Sequence, residues 1–266
     1  MKAVRIEEFG GPEVLRVSET PAPEPEGDEV IIELRAAGVN RADILTRSGG
    51  YHGAGQPPIV PGFEGSGIVR EIGPEVTEVS PGDRVLTFGG RPGFYAEYVA
   101  VPQDHVVRMP ENLDWDTAAA LPVAPLSAWY CLRHLAQLRS GEKVLIWAAA
   151  SGVDDAAVQI AKHLGATVIA TAGSDEKVAW ALENGADEGI NHATEEVLAR
   201  TRDITGEDGV EVVLDTVGGA GLRRESQSGR SWRARSVSGE CCAGGESNRH
   251  SRFLPEERNH PRVSDH

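Results

Sequence analysis

The residues most able to do chemistry lie in 145–162, LIWAAASGVDDAAVQIAK. An apolar run gives way to small residues and then to helical periodicity. A strand-to-helix turn of this kind leaves backbone N–H groups free at a helix N-terminus, where they bind phosphate. Ala150 and Gly152, in the degenerate fingerprint Ala150-x-Gly152-x-Asp154, are the candidate contacts, since small residues let a pyrophosphate approach the backbone. Asp154 conflicts with that reading. A carboxylate beside the phosphates repels them unless it turns away and caps the helix. The competing reading is a tight turn that serves packing only.

A second signal follows the next apolar run, TVIATA, which ends in Gly173, Ser174, Asp175, Glu176 and Lys177. A site for NAD usually places an acidic residue at that strand end to hold the ribose hydroxyls. Here the end is small and neutral. Ser174 and Lys177 therefore suit the 2′-phosphate of NADP(H), with an ordinary solvated helix lysine as the alternative for Lys177.

The elements that must position these residues alternate. VLIWA, TVIATA, 188–190 and VEVVLDTV read as strands. AAVQIAKHL, EKVAWALENG and EEVLARTRDI between them read as helices. That order is the opening of a doubly wound parallel sheet with helices on both faces. Upstream, residues 1 to about 120 read as strands and turns, in the runs MKAVRI, VLRVSE, EVIIELRAAGV, GSGIVREIG, GDRVLTFG and YAEYVAVP. Such regular short strands predict a partly closed barrel. Residues 48–55 read as a glycine-rich loop. Trp115 to Thr117 opens one helix, capped by Asp116 or Thr117 and ended by Pro122 and Pro125. SAWYCLRHLAQL is a second, capped by Ser127.

As an ensemble, residues 1–219 resemble the zinc-independent quinone oxidoreductases of the medium-chain dehydrogenase/reductase superfamily. Pro61-Gly62-Phe63-Glu64-Gly65-Ser66-Gly67, with Gly73 and Val76, is similar to the superfamily's barrel signature. Residues 141–162, through Ala149-Ala150-Ser151-Gly152-Val153, are similar to the quinone-reductase signature, departing from its common form at Ser151 and Asp154, where glycine is usual, and Gly173, Ser174 and Lys177 are similar to an NADP-selecting loop. The resemblance implies an α/β chain with a GroES-like barrel over 1–122 and a truncated Rossmann-type NADP-binding sheet over 123–220. It places Asn40, of the Asn40-x-x-Asp43 segment, with Tyr51 and Ser127 around the nicotinamide and substrate. Their structural alternatives are a turn, loop packing and a helix cap. It places Asn191 and His192 on the adenosine side and Asp215 near the nicotinamide ribose. The implied partner is a small-molecule quinone or enone, and intact relatives are homodimers.

A metal is not expected. In zinc alcohol dehydrogenases the position of Phe63 is a histidine ligand. Zinc needs three or four Cys, His or carboxylate ligands in a compact set, whereas the barrel segment has no Cys and isolates His52 and His105. Direct hydride transfer to an electron-poor carbon needs only orientation and hydrogen bonding to the developing oxyanion.

Beyond Gly221 the pattern stops. Residues 221–266 hold nine of the 26 basic residues, all Arg, six of the 41 acidic residues and two of the three Cys, so that segment carries a net charge of +3 and the rest −18. A reading-frame change or truncation is one expectation, and a disordered basic tail the other. In intact relatives the chain continues through the rest of the sheet, so this chain is expected to be impaired as an enzyme. The alternatives to an NADPH-dependent reductase of quinones, enones or aldehydes are a non-catalytic or regulatory NADP-binding protein and a polyketide-type enoyl reductase domain. The net charge of −15 argues against nucleic acid as a partner. The polar N-terminus and the lack of any long apolar run argue against a signal peptide or a membrane span. The isolated Cys131 and adjacent Cys241 and Cys242 suit a reducing, cytoplasmic setting.

Overall fold

The computed structural model describes residues 1–51, 53–218 and 235–238. The chain divides into two compact units, Met1–Ser127 and the described residues from Ala128 onward.

The first unit is built on a five-stranded antiparallel sheet in the order β6-β3-β4-β5-β7. Its strands are β3 (Glu29–Ala37), β4 (Glu64–Ile72), β5 (Arg84–Phe88), β6 (Tyr98–Pro102) and β7 (Val106–Arg108). A separate antiparallel pair, β1 (Lys2–Arg5) with β2 (Arg16–Glu19), is bridged to the loops at Ala3–Ala96 and Ile6–Ile59. Alternation along the strands sends Val30, Ile32, Val69, Val85, Val99 and Val101 to one face, where they pack with Phe94.

Two features depart from the strand-and-turn reading. The three residues of β7 are too few to show a period. The helix α1 (Arg41–Ser48) replaces part of an expected turn. Its sequence RADILTRS has little apolar face, and it is held instead by hydrogen bonds at its start. The helix α2 (Trp115–Ala119) is capped by Asp114, whose carboxylate accepts the Thr117 N–H at 2.7 Å, rather than by Asp116 or Thr117. Pro125 lies in the first turn of α3 (Ala124–Trp129), where a missing N–H costs nothing. Ser127 therefore sits inside that helix and does not cap it. The chain continues from α3 into a wider π-helical segment, Tyr130–Leu135.

The second unit is a five-stranded parallel sheet in the order β10-β9-β8-β11-β12. Its strands are β8 (Lys143–Ile146), β9 (Thr167–Ala172), β10 (Glu188–Asn191), β11 (Val212–Asp215) and β12 (Arg235–Ser238). The helices α4 (Gly152–His163), α5 (Asp175–Glu183) and α6 (Val197–Thr205) make the crossovers. Strict alternation supplies both faces. Val144, Ile146, Val168, Ala170, Val212 and Leu214 meet α4 through Ala157, Val158 and Ala161. Leu145, Ile169, Ile190 and Val213 pack with Val197 on the other side. Burial on both faces is why these strands read as continuous apolar runs.

β12 falls in the segment where the sequence shows no strand pattern. Arg-Ser-Val-Ser alternates for only four residues. Pairing with β11 supplies what local periodicity lacks, and Val237 joins the core on the α4 face. The Arg235 guanidinium pairs with Glu142. The disorder expected for the remainder of 221–266, and the loop reading at His52, lie outside the described residues.

Candidate functional site

In the first unit, Asn40 stands immediately before α1. The Asp43 carboxylate one turn on accepts the Asn40 N–H at 2.7 Å, the Gly62 N–H at 3.0 Å and the Tyr95 hydroxyl at 2.9 Å. Gly62 has φ +94°, and a Cβ there would lie 2.6 Å from the Tyr95 ring, so only glycine lets this turn come under Asp43. The Asn40 side chain donates from Nδ2 to Glu64 Oε1 at 2.6 Å. The other Glu64 oxygen accepts the Val123 N–H at 2.7 Å. Glu64 is buried, and Gly38 leaves room for it, since a Cβ at 38 would meet Oε1 at 2.3 Å. Burial raises the Glu64 pKa, the two hydrogen bonds oppose the rise, and nearby Asp43 adds to it.

Ser127 donates its backbone N–H to the Val123 carbonyl at 3.0 Å. Asn40, Glu64, Val123 and Ser127 are thus joined in one hydrogen-bonded series. Tyr51 packs its ring 5.1 Å from Phe63, the residue before Glu64. Burial, then Asp43, raises its hydroxyl pKa. The same causes, together with the hydrogen bond to Asp43, raise that of Tyr95. Asn40 and Tyr51 therefore attach at the start of β4, whereas Ser127 is tied to it only through the backbone of Val123. Sequence reasoning missed Tyr95, which reaches Asp43 across 52 residues with no local signal. It also left Glu64 without a function, although the Glu64 carboxylate orients Asn40.

In the second unit, the turn after β8 delivers its backbone to α4. Ala148 holds φ +52°, a left-handed conformation that costs an alanine about 1–2 kcal/mol. Ala150 is half-buried, and Gly152 is exposed at the first position of the helix. The N–H groups of Gly152, Val153 and Asp154 have no partner among the described residues, and the Ser151 side chain does not cap them. That is the donor set an anion needs, at the carboxyl end of a parallel sheet. Asp154 does not cap the helix either. It is turned wholly inward, where Oδ2 accepts both the Ser151 and the Thr216 hydroxyl at 2.5 Å.

Around this turn, exposed Gly173 ends β9, and a Cβ on it would lie 3.3 Å from His192. The Ser174 hydroxyl caps α5 by accepting the Lys177 N–H at 3.4 Å, and the Lys177 side chain is exposed. The His192 ring is tilted by 38° against that of Trp147 with centroids 5.8 Å apart, bringing the ends of β8 and β10 together. Asn191 is occupied internally. Its Nδ2 donates to Asp175 at 2.6 Å, and its Oδ1 accepts the Ala193 N–H at 3.1 Å. The Asp215 carboxylate closes the turn after β11 by accepting the N–H groups of Val217 and Gly218 at 3.0 and 2.9 Å.

Residues 26–111 match the family described as alcohol dehydrogenase GroES-like domain, and 152–231 the family described as zinc-binding dehydrogenase. The chain is 37% identical over 235 residues to the quinone oxidoreductase of Lama guanicoe, covering 86% of this chain and 71% of that protein. The chain belongs to the zinc-independent quinone oxidoreductases of the medium-chain dehydrogenase/reductase superfamily. Solved members of the family superpose well. The quinone oxidoreductase of Pseudomonas syringae gives a TM-score of 0.81 at 36% identity, covering 89% of this chain and 72% of that one. That of Escherichia coli, complexed with NADPH, gives 0.79 at 34% identity, covering 84% and 68%. Despite the wording of the second family description, no group of three or more His, Cys, Asp or Glu among the described residues is placed to hold a metal ion. No helix among the described residues is long and apolar enough to cross a membrane.

Proposed function

We propose that this chain binds NADP(H) at the turn between β8 and α4 and reduces a quinone or an activated enone or aldehyde without a metal. The observation that carries the reading is the set of unpartnered N–H groups on Gly152, Val153 and Asp154. They suit a pyrophosphate in size, sign and position within the sheet. The cofactor, when bound, supplies the hydride. Ser174 and Lys177 suit the 2′-phosphate, since the end of β9 offers no carboxylate at Gly173. His192 and Gly173 bound the adenosine side, with Asn191 holding the loop behind them. Asp215 fixes the turn on the nicotinamide-ribose side.

For the acceptor, Asn40 is the residue best suited to orient a carbonyl oxygen, because Glu64 holds its amide in one direction. Tyr51 and Ser127 provide hydroxyls for the developing oxyanion, and solvent supplies the proton. Phe63 puts an apolar ring where a metal ligand would otherwise stand.

The test is titration of the full chain with NADPH, followed by turnover of a simple benzoquinone. Saturable binding with turnover supports the reading. Binding without turnover favours a regulatory or non-catalytic role, and no binding at all overturns the proposal.

A further inference from the structure

Asp154 stands in the first turn of α4, beside the free N–H groups. Its side chain has no solvent exposure. Oδ2 takes two hydroxyl hydrogen bonds, from Ser151 before the helix and from Thr216 after β11. Oδ1 is buried and has no partner among the described residues. The like charge of Asp215, at the end of β11, adds to the cost of ionising Asp154, and no cation among the described residues offsets it there. On its own helix, the neighbouring Asp155 points elsewhere, accepting from Gln159 and Trp180. A helix N-terminus ordinarily favours a carboxylate. This one is held inside the sheet with one oxygen unpaired, which is costly for a charge and much less so for a neutral acid.

We propose that Asp154 is a positioning residue that couples cofactor binding to proton uptake, its carboxyl becoming protonated when a pyrophosphate occupies the N–H groups of Gly152 and Val153. The proposal rests on the cofactor reading above. The physical reason is charge. A pyrophosphate adds two negative charges beside Asp154 and Asp215, which are both buried, and of the two only Asp154 has a buried oxygen with no donor among the described residues. Neutral Asp154 keeps the Ser151 and Thr216 hydrogen bonds, so the two turns stay tied while the repulsion disappears. Burial already lifts its pKa to about 6 in the free protein, so the proton is available near neutrality. Thr216 carries the effect to the loop after β11.

The test uses the full chain and NADH. NADH lacks the 2′-phosphate monoester, which itself titrates near pH 6 and would confuse the result. Calorimetric titration at pH 6.5 in two buffers of different ionisation enthalpy counts the protons taken up on binding. The expected result is uptake of a substantial fraction of one proton, and an NADH Kd that weakens by up to about 15-fold from pH 6 to pH 7.5. In Asp154→Asn the uptake disappears, and Kd stays within about twofold over the same range. Zero uptake by the unaltered chain overturns the proposal without any variant, as does unchanged uptake in Asp154→Asn. A chain that binds neither NADH nor NADPH at any pH overturns the cofactor reading itself, a distinguishable result.

Discussion

Glu64 ties Asn40 to Val123. One carboxylate oxygen accepts the Asn40 side-chain amide at 2.6 Å and the other the Val123 N–H at 2.7 Å, inside a buried site. The start of β4, the approach to α1 and the approach to α3 therefore share one anchor. Glu64→Ala leaves two donors unpaired and is expected to cost about 2–4 kcal/mol. Glu64→Gln keeps the shape and one acceptor and is expected to cost about half as much. Urea unfolding followed by tryptophan fluorescence measures both. An alanine variant within about 0.5 kcal/mol of the parent would show that the anchor carries no load.

Much of the second unit was legible because a parallel sheet buried on both faces writes itself as unbroken apolar runs. TVIATA is β9 residue for residue. The turn proposed for the cofactor was legible for the same reason, since it must follow the first such run. Other parts were not. The helix α1 depends on a carboxylate, Asp43, that serves residues 40, 62 and 95 together, and only the Asn40-x-x-Asp43 spacing hints at it. Pro125 reads as a helix end in one dimension and is a helix beginning in three. β12 is a strand only because the edge of β11 is there to pair with. Asp154 was legible as a conflict, but its resolution needed Thr216, 62 residues away.

The strain at Ala148 can be relieved. Its φ of +52° is readily populated by glycine. Ala148→Gly is expected to raise stability by up to about 1 kcal/mol, the left-handed cost less the extra entropy glycine loses on folding. Thermal unfolding checks the sign. A lower Tm would mean that packing of the alanine methyl outweighs the backbone term.

The contribution of β12 rests on its apolar residue rather than on its ion pair. Val237 is buried among the residues facing α4, and Val237→Asp is expected to cost at least about 3 kcal/mol by placing an unpaired charge there. Arg235 and Glu142 are partly exposed, so Arg235→Ala is expected to cost no more than about 1 kcal/mol. Denaturant unfolding of the two variants ranks them. Equal and small effects would show that β12 does not stabilise the sheet.

Asp154 also predicts how stability varies with pH. Its pKa is raised by burial from 3.8 to about 6, so the folded state holds its proton more tightly than the unfolded state does. Between those values the folded chain binds more protons, and stability falls as pH rises. Below pH 4 the group is neutral in both states and contributes nothing. Above pH 6 it is charged in both, and the full cost, about 3 kcal/mol, applies. Glu142 and Asp187 act in the opposite sense. Their partners Arg235 and Lys162, with backbone N–H donors, hold their pKa values down despite some desolvation, so their stabilisation is lost in acid. Asp154→Asn removes only the first contribution. The stability of the asparagine variant relative to the parent should therefore climb from pH 4 to pH 6 and level off above, measured by urea unfolding at half-unit steps. A relative stability that stays flat across that interval would mean that Asp154 ionises in the folded chain as readily as in the unfolded one, with water reaching its unpaired oxygen.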